Sequence, residues 1–217
     1  MNDNKNKPTD VEPVSSDIEE PDEAEGEPEE DDAVFDGMKV AKECYDWVEI
    51  FVITITAVLM VFTFLLRPAY VVGPSMENTL HEDDALIVSN LFYTPKQGDI
   101  VVFQSPDSVQ VGDEAVVKRV IATEGQTVDI DFETWTVTVD GEVLDEPYVN
   151  YLEGMYMRSY DLEFPITVPD GCVFLMGDNR NHSLDSRSSD IGCVDTRFIF
   201  GRVLFRALPF NKFGAVD

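Results

Sequence analysis

Polar and apolar positions divide the chain into three stretches, each with its own structural expectation. From Met1 to Asp36 polar residues dominate, with 15 acidic side chains against Lys5 and Lys7. Such a stretch buries too little surface to offset the entropy of ordering, so a disordered acidic tail is expected over 1–36. The next stretch is the opposite. Ile50 to Leu66 is a run of 17 residues without a charge. Trp47 and Val48 bring it to about the ~20 residues that a membrane-spanning helix needs. Trp47 and Tyr70 stand at its ends, where amphipathic rings favour the headgroup layer. Arg67-Pro68 stops the helix, because proline cannot continue it and disfavours helix at the residue before. A core helix is the alternative. The run is long for the apolar part of a cleaved signal sequence, and no small-x-small site precedes Arg67-Pro68. A single transmembrane helix within a membrane-proximal segment, 37–68, is expected.

Beyond Pro68 the period shortens. VVFQSP, AVVKRVIA, TWTVTVDGEVL, CVFLMGD and FIFGRVLF are rich in Val, Ile, Phe and Thr and punctuated by Gly, Pro and Asp. These are strand signals. Asp140-Gly141 between alternating runs is a hairpin signal. No repeat of fixed period is present. The expected fold class is mainly β: one antiparallel domain over 69–217, behind the helix and the tail. Met155 to Phe164 has no clean period and reads as a loop or an edge hairpin.

Composition narrows the function. The chain of 217 residues has 15 Lys+Arg against 43 Asp+Glu, a formal charge of −28. That balance repels phosphate backbones, so no nucleic-acid partner is expected. Two His and three Cys leave no zinc-finger or disulfide framework. No cofactor and no metal are expected. Lys39 and Lys42 precede the apolar run, and Arg67 alone follows it closely. The positive-inside rule then puts the N-terminus in the cytoplasm and residues after 67 outside it, at the cell membrane.

A hydrolase needs a nucleophile, a base and a donor for the oxyanion. Neither His81 nor His182 sits in a G-x-S-x-G elbow. Cys44 lies by the helix, and Cys172 starts an apolar strand. A lysine replaces histidine as base where burial lowers its pKa. Lys118 stands in AVVKRVI, where alternation places Val116 and Val120 on its face and Arg119 on the other with Val117 and Ile121. Either that face points inward and desolvates the amine, or Lys118 faces solvent from an edge strand. Ser75 lies in GPSMENTL just past the helix, where Gly73 and Pro74 permit a tight turn.

The order of these segments resembles the type I signal peptidases (leader peptidases), membrane-anchored Ser-Lys proteases. Four stretches carry the resemblance. GPSMENTL (73–80) is similar to the nucleophile box, GDIVVF (98–103) to the strand after it, KRVIATEG (118–125) to the lysine box, and GDNRNHSLDSR (177–187) to the last box. The resemblance implies Ser75 as nucleophile and Lys118 as general base. It implies Ser183 as the hydroxyl that orients the lysine amine. Asp178 would pair with Arg119 and Asp185 with Arg187, while Gly177 would leave room beside the dyad. Met76, Leu80 and Val117 match positions that line the shallow pocket for the small residue before the cut. The implied substrates are exported preproteins, cleaved after Ala-x-Ala-like ends beside the lipid bilayer. The sequence departs from the family pattern at Asn78, where proline is usual, and at Thr123-Glu124, where Leu-Pro is common. Gly73 stands where some members place a serine as second oxyanion donor. A tethered binding module without catalysis is the rival reading, and the intact Ser75 and Lys118 argue against it.

Cys172 and Cys193 bracket the last box, as two reduced buried thiols or as a disulfide. His182 reads as exposed and not catalytic, and His81 before Glu82-Asp83-Asp84 as part of a solvated turn. Phe205, Leu208, Phe210 and Phe213 either touch lipid or pack on the sheet.

Overall fold

The structure is a computed structural model that describes residues 30–216. The acidic tail expected over 1–36 lies outside the described residues as far as position 29, and residues 30–36 already belong to a helix.

That helix, α1, runs over Glu30–Met60 and passes into a π-helical turn at Val61–Leu65. Leu66 is extended, at φ −128° and ψ 121°. Pro68 explains the stop, since it offers no N–H to continue the ladder. Gly37–Thr63 is long and apolar enough to cross a bilayer, with mean hydropathy 1.9 over its most apolar window. Trp47, Phe51 and Ile53 on it are exposed. A helix whose described apolar side chains are exposed is suited to a lipid solvent.

The described residues contain eleven strands: β1 Arg67–Tyr70, β2 Ala85–Ser89, β3 Ile100–Phe103, β4 Val116–Thr123, β5 Thr127–Asp131, β6 Thr136–Val139, β7 Glu142–Val143, β8 Ile166–Thr167, β9 Cys172–Met176, β10 Val194–Asp195 and β11 Ile199–Leu208. Every pairing between them is antiparallel. Seven strands form one sheet in the order β1-β2-β11-β3-β4-β9-β10, and four form a second in the order β7-β6-β5-β8. The protein is thus mainly β, as its strand signals predict.

Local chemistry explains the elements. In β5, Val128 and Ile130 are buried while Asp129 and Asp131 are exposed, so one face packs and the other is wet. Asp140 and Gly141 join β6 to β7 with φ of 54° and 84°. Two positive φ values are what a type I′ hairpin demands, and Asp-Gly supplies them. Met155–Phe164 forms neither strand nor hairpin; it is an irregular strap.

β4 holds the centre. It pairs with β3 on one side and β9 on the other, so both of its edges are taken up. Val117 joins an apolar cluster with Met76, Leu80 and Leu86, and Val120 a second with Phe103 and Leu175. Ile121 joins a third, with Trp135 and Phe174. The edge-strand alternative for Lys118 is therefore excluded: Lys118 and Arg119 are each 2 % exposed.

Candidate active site

Three segments meet around Lys118. The first is the turn after β1. Gly73 has φ +79°, a conformation that side chains with a Cβ rarely adopt. It lets the chain double back, and Glu77 N–H to Pro74 O and Leu80 N–H to Met76 O close the turn. Met76 and Leu80 point into the core, which leaves half-buried Ser75 on the other side.

The second segment is β4. Lys118 Nζ donates to Ser75 Oγ at 2.9 Å and to the Val117 carbonyl at 3.0 Å. Burial pushes the amine down to about 8 from its usual 10.5; the negative charges of Asp185 and Asp178 oppose the shift, and Arg187 assists it. A primary amine with a pKa near neutrality, held on a serine hydroxyl, has the chemistry of a general base.

The third segment is the loop between β9 and β10. Gly177 has no room for a side chain. A Cβ there would lie 2.2 Å from Ser183 Oγ and 2.5 Å from the Ser75 carbonyl oxygen. Its N–H donates to Asp185 Oδ2 at 3.0 Å. Asp185 takes a two-pronged contact from Arg187, at 2.8 Å on each oxygen. Burial alone would raise the Asp185 pKa. The Arg187 charge and hydrogen bonds, with the Gly177 N–H, outweigh it and hold the carboxyl below its usual range. Arg119 grips Asp178 in the same way, at 2.9 and 2.8 Å. The Arg119 guanidinium also donates to Gly98 O at 2.9 Å and lies 3.8 Å from the centre of the Tyr148 ring.

Other expected residues sit differently. Ser183 is 1 % exposed; its Oγ makes no hydrogen bond to Lys118 and instead lies where it helps to lower the Asp185 pKa. Met76 and Leu80, expected on a pocket wall, are instead 1 % and 0 % exposed. They fill the space beneath the turn with Val71, Leu86 and Val203. Val117 does line an open apolar cleft of about 380 Å³, walled by Arg67, Ala69 and Tyr70 of β1 with Val88, Val102 and Phe200. The cleft's lining residues come from β1, β2, β3, β4 and β11 of the seven-stranded sheet and from Ala115.

Several residues that hold the site carry no recognisable role in the sequence. The Thr79 hydroxyl donates to Asp178 Oδ2 at 2.5 Å. Asn179 donates through its N–H to Ser75 O and through Nδ2 to Pro74 O, both at 3.1 Å. Arg180, fully buried, pairs with Glu146 at 2.6 Å. Arg206 reaches Asp84 at 2.8 Å and the Thr79 carbonyl at 3.0 Å. Thr79, Asn179 and Arg180 lie inside the quoted boxes, which was their only signal. Glu146, Asp84 and Arg206 gave none, because their partners are remote in sequence.

The cysteines carry free thiols, and burial pushes Cys193 up to about 11. His182 is exposed, with Nδ1 3.2 Å from Asn179 Oδ1, and His81 is exposed as well. Phe205 packs on Phe213 at 5.6 Å between ring centres, and Phe210 stands exposed. Among the described residues no group of His, Cys, Asp and Glu is arranged to hold a metal ion.

Comparison with known proteins adds the following. The family described as "Signal peptidase, peptidase S26" matches residues 44–208. A probable signal peptidase I-1 from Synechocystis is 36 % identical over 174 residues, covering 77 % of this chain and 84 % of that protein. A signal peptidase I from Bacillus licheniformis is 33 % identical over 183 residues, covering 80 % and 93 %. A crystal structure of a signal peptidase I from Enterococcus faecalis superposes on 51 % of this chain and 97 % of that one, with 29 % identity and a TM-score of 0.41.

Proposed function

The chain belongs to the signal peptidase I family, peptidase S26, serine peptidases that remove signal peptides from exported proteins, and from that premise we propose that it cleaves through a Ser75–Lys118 dyad while anchored in the cell membrane. The observation that carries the proposal is the 2.9 Å contact of Lys118 Nζ with Ser75 Oγ inside a buried site. The neutral amine takes the Ser75 proton as Oγ attacks the carbonyl of the residue before the cut. The Ser75 N–H donates to the oxyanion that forms. Lys118 then protonates the leaving amine, and the mature protein departs. Water, activated by the same amine, attacks the acyl-enzyme ester and releases the signal peptide.

Specificity follows from shape. The cleft is apolar and open, and Val117, the residue before Lys118, forms part of its wall. Its apolar lining suits aliphatic side chains, which supports a reading of Ala-x-Ala-like ends. β1 is an edge strand, so its outer backbone groups are free to pair with an extended peptide. Met76 and Leu80 shape the cleft from behind by fixing the turn. Ser183 meets the amine as it shifts between Ser75 and water. The two ion pairs are structural: Arg119–Asp178 binds the last box to β4, and Asp185–Arg187 braces the box within itself.

The apolar helix within 37–68 anchors the enzyme in the bilayer, with the N-terminus cytoplasmic and the catalytic domain, 69–217, extracytoplasmic. Lys39 and Lys42 before the span, against Arg67 alone close after it, support that orientation. Confinement to the membrane plane raises the effective concentration of a membrane-inserted signal peptide. The test is a panel of preproteins with Ala, Val or Phe at the residue before the cut, each product read by mass. Cleavage confined to the small residues, and absent from Ser75→Ala, is expected. Cutting after Phe at the rate for Ala would remove the cleft from the account.

A further inference from the structure

Within the irregular strap, Tyr156–Asp161 is the part that runs between the two sheets of the β domain. On one side Met157 N–H donates to Phe132 O at 2.8 Å, and its side chain, 2 % exposed, packs in the cluster of the smaller sheet. On the other side the strap grips the last-box loop. Arg158 N–H donates to Asn181 Oδ1 at 2.6 Å, and Asn181 Nδ2 donates to Tyr156 O at 3.2 Å. Arg187 Nη1 donates to Arg158 O at 2.7 Å. Asp161 accepts from Ser189 N–H at 2.9 Å. The shortest of the contacts nearest the dyad is Tyr160 OH to Ser183 O, at 2.6 Å.

Ser183 is where this network touches chemistry. Its hydroxyl is buried, stands close enough to Asp185 to help lower that carboxyl's pKa, and makes no bond to Lys118 in this arrangement. Gly177, which leaves no space for a Cβ, closes one side of it. With the side chain boxed in, the place of Oγ is set by its own backbone. Tyr160 holds that backbone by its carbonyl, with a weaker contact from Arg187 Nη2 at 3.4 Å. The Tyr160 ring lies near the Arg158 and Arg187 guanidinium groups, at 4.9 and 5.4 Å, so the phenol has little freedom to swing. Burial above all keeps it protonated, and hence a donor.

We propose that the Tyr156–Asp161 strap is a positioning element for catalysis, and that Tyr160, through the Ser183 carbonyl, sets the hydroxyl that orients the Lys118 amine. This rests on the reading of Lys118 as base and deepens it, by placing control of that base in a segment with no regular structure. Tyr160 touches neither substrate nor the reacting atoms; it acts through Ser183.

The experiment uses the full chain in detergent and a preprotein substrate. Tyr160→Phe keeps the ring and removes one hydrogen bond. Its kcat is expected to fall about tenfold, with KM within twofold of wild type. Ser183→Ala is expected to fall at least as far, and Tyr160→Phe on that background to cause no further loss, since the two act in series. Asn181→Ala, which frees the strap at Tyr156 and Arg158 without touching Ser183, should lower kcat several-fold and serves if Tyr160→Phe does not fold. Wild-type kcat in folded Tyr160→Phe, a loss confined to KM, or a full second loss in the double variant overturns the inference. Lys118→Met is run beside them. Activity there would sink the dyad itself, whereas an inactive Lys118→Met with a fully active Tyr160→Phe sinks the strap alone.

Discussion

The Thr79 hydroxyl meets the Asp178 carboxylate at 2.5 Å, although the two residues are 99 positions apart. Thr79 is on the turn that carries Ser75, and Asp178 opens the loop that carries Ser183. One carboxylate therefore ties the nucleophile turn, through Thr79, to β4, through Arg119. Thr79→Val preserves the shape and deletes the donor. It should cost about 1 kcal/mol in a urea melt and lower kcat several-fold, because the turn loses its side-chain link to Asp178. Asp178→Asn should cost more, about 3–5 kcal/mol, because it strands the buried Arg119 charge. An Asp178→Asn melt that overlays wild type would show that the pair is not what holds these segments.

On the proposed mechanism, Ser75→Ala removes the attacking atom, and Lys118→Met removes the base while keeping an apolar chain of similar length. Each should reduce preprotein cleavage at least about a hundredfold. Far-ultraviolet circular dichroism checks that both remain folded. Lys118→Met cutting at the wild-type rate would exclude a lysine base.

The buried amine predicts two pH effects with a common origin. Cleavage should rise tenfold per unit as pH climbs toward about 8 and level off above it, as Lys118 loses its proton. Stability should follow the same group. The folded amine titrates near 8 and the unfolded one near 10.5, so between these values the unfolded chain holds a proton that the folded chain has shed. Wild type should therefore gain on Lys118→Met as pH rises through that window, by roughly 3 kcal/mol in all. Below pH 8 the difference should be flat. Denaturant midpoints of the two proteins at pH 7 to 10.5 check the sign, and a gain running the other way would show that the amine is not desolvated.

Gly177→Ala adds one methyl group where Ser183 Oγ would stand 2.2 Å away and the Ser75 carbonyl 2.5 Å away. The carbonyl is backbone and cannot step aside cheaply. A loss of about 1–3 kcal/mol and a fall in kcat larger than for Thr79→Val are expected, measured by melts and by steady-state cleavage. Gly171→Ala, at a turn with open space around it, supplies the contrast: backbone strain at φ +73°, but no change in kcat.

Alternation and turn chemistry carried most of the β architecture. The Asp140-Gly141 hairpin was legible because only such residues accept two positive φ values. The apolar span was legible because a run without charge of that length has few other uses. The burial of Lys118 was not decidable, since a strand with both faces covered shows no polar side and β4 sits mid-sheet. Met76 and Leu80 went to the core because a nucleophile turn needs apolar ballast beneath it as much as a pocket above. Arg180 with Glu146, and Arg206 with Asp84, were invisible because pairing across a fold leaves no local spacing. The strap was unreadable as structure for a similar reason: its bonds run outward to the last box, not along itself.

Lys118 and Arg119 are neighbours in β4, and alternation sends them to different tasks: one amine that sheds its proton, one guanidinium that never does. A one-residue slip of this strand would hand Ser75 a permanent cation and turn the amine toward Asp178, where it would stay charged. The enzyme would be folded, well packed and dead. The pairing of β4 with β3 and β9 thus acts as a proofreading frame, and insertions or deletions in β4 should be far more damaging to turnover than substitutions of its valines.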